Sequence, residues 1–245
     1  MYEFAIYVVV GIVAQMIDGV LGMGYGVTAT SFLLTVGVTP AVASASVHTA
    51  EVVSTGFSAW SHLRMRNVIW SLARRLLIPG AIGAAVGAYI LTHVPGDRIK
   101  PFIAVYLLIM GIVILTKALR PRPTKESHAH LAPLGLAGGF FDSIGGGGWG
   151  PIVVGTLLAR GNEPRATIGS VNCAEFFVTL AASATFLITL GPSPWLPIAG
   201  LAVGGAIAAP IAARLVNRIP ARPLMIAVGA MVVVLSVRTI VQAIG

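Results

Sequence analysis

Charge is scarce in this sequence. Asp, Glu, Lys and Arg together supply 10% of its 245 residues, against about 25% in a soluble domain. A soluble globular protein cannot be covered by so little charge, and only eight residues are acidic. Cysteine occurs once, as Cys173, which excludes an intrachain disulfide and any cysteine-based metal motif. Inside an apolar segment this residue reads as a small buried side chain. Short alternating segments of the kind a β-barrel needs are missing. So is a basic leader ahead of the first apolar stretch, which is also too long for a cleavable signal peptide. The net charge of +8 and pI near 10.4 are not gathered on one amphipathic face, so nucleic acid is not the partner they imply. The basic residues lie between apolar segments, as orientation signals and lipid-headgroup anchors.

What remains is hydrophobic: 56% of the chain, with a mean hydropathy of +0.91. Nearly charge-free stretches of about 20 residues recur, the length a helix needs to cross the hydrocarbon core. The chain therefore reads as an all-α integral membrane protein with the lipid bilayer as its surroundings. Eight segments are expected, at 4–34, 41–62, 70–93, 98–120, 131–159, 164–190, 195–217 and 221–244.

These segments fall into two tandem repeats. Asp18-Gly-Val-Leu-Gly-Met-Gly-Tyr-Gly26 returns 124 residues later as Asp142-Ser-Ile-Gly-Gly-Gly-Gly-Trp-Gly150. At the same offset Pro40 falls on Pro164, Ser46 on Ser170, Glu51 on Glu175 and Thr55 on Thr179; one extra residue then brings Trp70 onto Trp195. An internal repeat of this kind governs the architecture. It sets repeat 1 at 1–120, a polar linker at 121–130 with Pro121, Pro123, Lys125 and Glu126, and repeat 2 at 131–245. The first segment of each repeat is too long for one untilted crossing and carries the glycine cluster. It is expected to be glycine-broken or re-entrant. Pro40 and Pro164 mark helix starts; Pro79 and Pro210 fall inside segments.

Arg64, Arg66, Arg74 and Arg75 lie after the second segment of repeat 1, whereas Arg160 and Arg165 lie before the second segment of repeat 2. Opposite biases suit repeats of opposite orientation, while four crossings per repeat require parallel ones. The conflict disappears if the glycine-broken segment does not cross fully, so parallel and inverted topologies both stay open. The Arg64–Arg75 loop and the Lys117–Lys125 linker are the expected cytoplasmic segments.

Four of the eight acidic residues, Asp18, Glu51, Asp142 and Glu175, lie within apolar segments at repeat-equivalent positions. A carboxylate in hydrocarbon costs about 2.5–3.5 kcal/mol on insertion scales, so such groups face a cavity or a partner and mark a pathway. The two Asp residues can also cap half-helices by accepting N–H groups of their own glycine loops. His48 lies three residues before Glu51 on a helix, close enough to share a proton with it, which makes these five residues proton-coupling candidates; a hydrogen-bonded polar pair between helices is the bland alternative. Gly22, Gly24, Gly26, Gly146, Gly147 and Gly148 offer backbone N–H groups able to hold a small anion. Tyr25 and Trp149 occupy the same slot of the two motifs and can wall it. Scattered glycines such as Gly83 and Gly87 read as helix packing, and Trp60, Trp70 and Trp195 as interfacial anchors.

The glycine-rich segments, the Gly-x-x-Pro loops that follow them and the basic stretch ending at Asn67-Val-Ile-Trp70 resemble the TauE/SafE family, over the full chain. Gly145-Gly-Gly-Gly-Trp-Gly-Pro151 matches the family's pattern best. In the first copy Met23 and Tyr25 interrupt the glycines and Val27 replaces the proline. The resemblance implies a secondary transporter in a bacterial inner membrane, exporting sulfite or a C2–C3 organosulfonate. It also implies a small oxyanion between two helix N-termini, with Ser46, Thr49, Ser170 and Asn172 completing its hydrogen bonds; buried carboxylates beside that anion imply protonation, and with it protons as the coupling ion. Neither an enzyme nor a cofactor or resident metal is expected. A cation or metal carrier using the five titratable residues is the rival within transport, and a membrane assembly factor or enzyme the rival outside it. A homodimer is left open as a partner.

Overall fold

The computed structural model describes residues 2–119, 129–192, 194–215 and 220–244, and all the regular structure among them is helical. The chain runs α1 Tyr2–Leu21, α2 Tyr25–Thr35, α3 Pro40–Arg64, α4 Trp70–His93 and α5 Gly96–Leu119. It continues with α6 Leu131–Gly145, α7 Gly150–Ala159, α8 Pro164–Leu190, α9 Trp195–Leu215 and α10 Ala221–Ile244. The first turns of α7, Gly150–Val154, are π-helical. Pro121, Pro123, Lys125 and Glu126 of the linker lie outside the described residues. Six helices among the described residues are long and apolar enough to cross a membrane: α1, α4, α5, α8, α9 and residues 222–242 of α10. The 25-residue α3 is not among these, because serines, threonines, His48, His62 and Glu51 occupy it.

Both long first segments are broken at their glycine clusters. Gly22 and Gly24, at φ +67° and +123°, and Gly146, at +68°, take left-handed conformations that end α1 and α6. Helices in the two halves begin and end at matching places: α1 and α6 end at Leu21 and Gly145, α2 and α7 at Thr35 and Ala159, and α3 and α8 begin at Pro40 and Pro164. In the first position of a helix, proline's missing N–H costs nothing.

The most extensive helix contacts all join one half to the other: α4 with α6, α1 with α9, α5 with α10, α8 with both α3 and α4, and α3 with α9. Small residues make this possible. On α4, Gly83 lies under the Leu136 carbonyl and Gly87 under Phe140, while Gly139 of α6 faces the Gly80 carbonyl. Gly83 and Gly87 are thus packing residues, as their spacing suggests. Gly11 and Gly204 serve the α1–α9 contact in the same way.

The order of these contacts fixes helix directions. Along α1 and α9, Tyr7 meets Gly200 and Gly19 meets Ala212, so the two run parallel. Leu76 meets Gly135 and Gly80 meets Gly139, so α4 and α6 are parallel too. In contrast α3 and α8 are antiparallel, with Thr55 beside Thr179, Ser58 beside Asn172, and Asn67 beside Arg165. One end of the bundle therefore carries Arg64, Arg66, Arg74, Arg75 and Arg165; at the other, the start of α5 at Gly96 packs on Pro40.

Helix α1 starts at the Pro40 end beside α9, and α2 returns there, since only residues 36–39 separate it from α3. At 11 residues, α2 rises about 16 Å, so its glycine loop lies deep in the bundle. The same connectivity makes α6–α7 a hairpin entering from the arginine end. The two tips touch: Gly26 packs on Gly147, and Gly150 on Met23. A side chain at Gly26 or Gly150 would push the loops apart.

Candidate functional site

A buried polar centre surrounds the hairpin tips. His48 is 0% exposed, Asp18 and Glu51 are 2%, Asp142 is 3% and Glu175 is 4%. At such burial each group needs a partner or a proton.

Asp142, near the end of α6, has the most partners. Its Oδ1 accepts the backbone N–H groups of Gly148 at 2.7 Å and Trp149 at 3.0 Å. It thereby caps α7, because the break leaves these donors without carbonyls. The Asp142 carbonyl accepts the N–H of Gly147 at 2.9 Å. In the other half Asp18 accepts the N–H of Tyr25, and its carbonyl accepts the N–H of Gly22 at 2.5 Å. The N–H groups of Gly22, Gly147 and Gly148 are thus held by the carbonyls or carboxylate of the chain's own aspartates.

The second oxygen of Asp142, Oδ2, lies 3.0 Å from His48 Nε2 on α3. His48 Nδ1 lies 2.8 Å from the Ser44 carbonyl, with Ser44 Oγ at 3.3 Å. A carbonyl can only accept, so Nδ1 carries a hydrogen. The approach of Nε2 to Oδ2 requires a second proton between them, on either atom. Histidine's close partner is therefore Asp142 and not Glu51, the neighbour suggested by the i, i+3 spacing. Glu51 stands near: one ligand atom each from His48, Glu51 and Asp142 fall within 4.8 Å of one another. Glu51 Oε2 and its repeat mate Glu175 Oε2 are buried with no hydrogen-bond partner among the described residues.

The remaining candidates divide. Ser46 Oγ is buried without a partner among the described residues. Asn172, the counterpart of His48, donates Nδ2 to Ser58 Oγ at 3.0 Å and leaves Oδ1 unpartnered. Thr49 donates back to the Ala45 carbonyl at 2.7 Å. Ser170 has neither role left: its hydroxyl accepts the Ile69 N–H at 2.7 Å and donates to the Ala166 carbonyl at 2.6 Å, tying the α3–α4 turn to α8. Tyr25 and Trp149 are fully buried, reaching the carbonyls of Leu201 at 3.2 Å and Val171 at 3.4 Å and lying over Gly205 and Gly80. They fix the hairpin tips to the helices around them. Gly24 lies against Ile17, and the Gly146 carbonyl accepts a hydrogen bond from the Thr30 hydroxyl.

Several polar groups were not singled out by the sequence. Gln15 and the hydroxyls of Thr28, Ser31 and Ser143 are buried without partners among the described residues. The Tyr106 hydroxyl from α5 abuts Gly148 and is likewise unpartnered. Position within a segment was the available signal, but only the charged residues stood out by composition. At the arginine end Asn67, 3% exposed, receives Arg165 Nε at 2.5 Å and lies 3.1 Å from His62 Nδ1. Trp60 and Trp70, about half exposed, carry the guanidinium groups of Arg64 and Arg74 over their rings, an arrangement suited to the membrane interface.

A bundle of apolar helices with a buried titratable centre and two broken hairpins is the architecture of a multi-pass membrane transporter. The model of the family described as sulfite exporter TauE/SafE matches residues 7–239, and the chain belongs to that family. It is 43% identical over 252 residues to the probable membrane transporter protein YtnM of Bacillus subtilis (strain 168), covering 99% of this chain and 84% of that one. No solved structure matches.

Proposed function

We propose that this protein is a secondary transporter that exports a small sulfur-containing anion, sulfite or a C2–C3 organosulfonate, across the bacterial cytoplasmic membrane, with its movement coupled to that of protons. The two halves act as inverted repeats. Six helices, α3–α5 and α8–α10, cross the membrane, and the hairpins α1–α2 and α6–α7 enter from opposite faces to meet at its middle. The arginine end lies in the cytoplasm, in keeping with the positive-inside rule. Alternating access moves the half-crossed hairpins and their cross-half partners around the central site.

The observation that carries the substrate class is the grip of the second glycine loop on a carboxylate: Gly148 N and Trp149 N both donate to Asp142 Oδ1. Backbone that holds one oxyanion can hold another of similar size. Sulfur is supported by the family description. The test is ligand-dependent thermal stabilisation of the purified protein with sulfite, sulfate, sulfonates, matched carboxylates and divalent metals. A ligand at about 100 times its Kd adds about 2.7 kcal/mol. Stabilisation by sulfite or sulfonates supports the reading, and stabilisation by carboxylates alone overturns it.

The cluster of His48, Glu51 and Asp142 keeps a second reading in view, that of a cation carrier. Against it, His48 and Asp142 already share a proton at 3.0 Å, which a metal would have to displace. Stabilisation by divalent metals alone would favour it.

A further inference from the structure

The carboxylate of Asp142 occupies the two N–H groups to which a transported anion would bind. We infer that Asp142 is a tethered competitor of the substrate, displaced only when a second proton joins the one it shares with His48. The inference rests on the anion-export reading and adds to it how the proton and the anion are linked.

In the observed state Nδ1 of His48 is committed to the Ser44 carbonyl, and one proton lies between Nε2 and Asp142 Oδ2. The pair is then neutral overall. Uptake of one more proton leaves an imidazolium beside a neutral carboxylic acid, with a net charge of +1. A neutral acid is a weaker acceptor than a carboxylate, so Asp142 yields the N–H groups of Gly148 and Trp149 to an incoming monoanion, whose charge balances the imidazolium. Loss of that proton restores the carboxylate, which reclaims the loop and expels the anion. One proton travels with one anion through each binding event.

The surroundings fit this exchange. Glu51 lies within 4.8 Å of the pair with Oε2 unpartnered, placed to hand on or receive the proton. The Tyr106 hydroxyl abuts Gly148 with no partner and is a ready donor to an anion there. The other titratable groups facing the centre are Asp18 on α1, Tyr25 on α2 and Glu175 on α8; the centre has no Lys or Arg among its named groups. In the other half Asn172 replaces His48 and cannot carry a proton, so the exchange is confined to the α6–α7 hairpin.

The test uses the full-length protein in detergent and methanesulfonate as probe, a monoanion at every pH examined. Calorimetry between pH 5 and 8 reads its Kd and, from buffers of different ionisation enthalpy, the protons taken up. Wild type should bind more tightly as pH falls, by about tenfold per unit where one proton is linked, with uptake of one proton. Asp142→Asn, with its competing charge removed, should still bind at pH 8, where wild type binds weakly, and its affinity should change less with pH than that of wild type. His48→Asn serves if that variant does not fold, and should bind weakly at every pH, since the imidazolium is gone. Wild-type binding without pH dependence, or Asp142→Asn with an unchanged pH slope, overturns the inference while leaving anion transport standing. Failure of wild type to bind methanesulfonate or sulfite at any pH overturns both.

Discussion

Thr55 and Thr179, 124 residues apart in the chain, meet hydroxyl to hydroxyl at 3.5 Å between α3 and α8. Each also donates to a repeat-equivalent carbonyl, Thr55 to Glu51 and Thr179 to Glu175. The contact marks where the halves face each other, one turn beyond the two glutamates. Function in this protein is built across that line: the loop in one half holds Asp142, and the histidine that shares its proton comes from the other.

Cross-half packing depends on glycine. Gly139→Leu should destabilise the protein by about 1–3 kcal/mol or prevent its accumulation, because the new side chain meets the backbone of α4 at Gly80. Gly37→Ala, where the site is open, is the control for expression, with only a local cost from its positive φ. Thermal unfolding in detergent separates the two.

At the arginine end, Asn67 joins α3 to α8 by bonding both His62 and Arg165. Asn67→Leu leaves the buried His62 and the exposed Arg165 without that partner and should cost about 1–3 kcal/mol, most of it from His62. Unfolding temperature checks this. Arg165→Leu should cost less, since only one of the two contacts is lost.

Much of this architecture is legible in the sequence. Proline and glycine mark the element ends directly, so α3 and α8 start at Pro40 and Pro164 and the first segments break where the glycines cluster. The acidic residues betray the centre because hydrocarbon tolerates so few of them. Partner choice is what pattern could not supply. The spacing of His48 and Glu51 is a property of one helix, whereas the bond to Asp142 depends on how α3 crosses α6. Ser170 looked equivalent to Ser46, yet the α3–α4 turn reaches only Ser170 and consumes its hydroxyl. That an aspartate can cap its own glycine loop is legible in the motif, and Asp142 does so; the motif alone does not say whether those N–H groups hold the aspartate or an anion.

Orientation is open to direct test. In a Cys173→Ala background, cysteines placed at Arg64 and Arg160 should react with a membrane-impermeant maleimide only from the cytoplasmic side. Cysteines at Val36 and Leu190, both exposed at the other end, should react only from outside. Labelling of Arg64 and Arg160 positions from opposite sides would mean parallel repeats.

Glu51→Gln and Glu175→Gln keep the shape of the centre and remove the charge of the two carboxylates whose Oε2 atoms have no partner among the described residues. Anion binding should survive in both, while flux driven by a pH gradient falls towards the uncoupled rate. Loss of binding for divalent cations, with anion flux untouched, would instead assign the glutamates as metal ligands.

The most direct measurement is sulfite flux in proteoliposomes with an imposed pH gradient. The account predicts that sulfite moves against its own gradient when protons flow down theirs, and that Asp142→Asn carries sulfite only downhill. Sulfite transport indifferent to the pH gradient in the wild-type protein would contradict proton coupling, and absence of any sulfite or sulfonate flux would contradict the central claim.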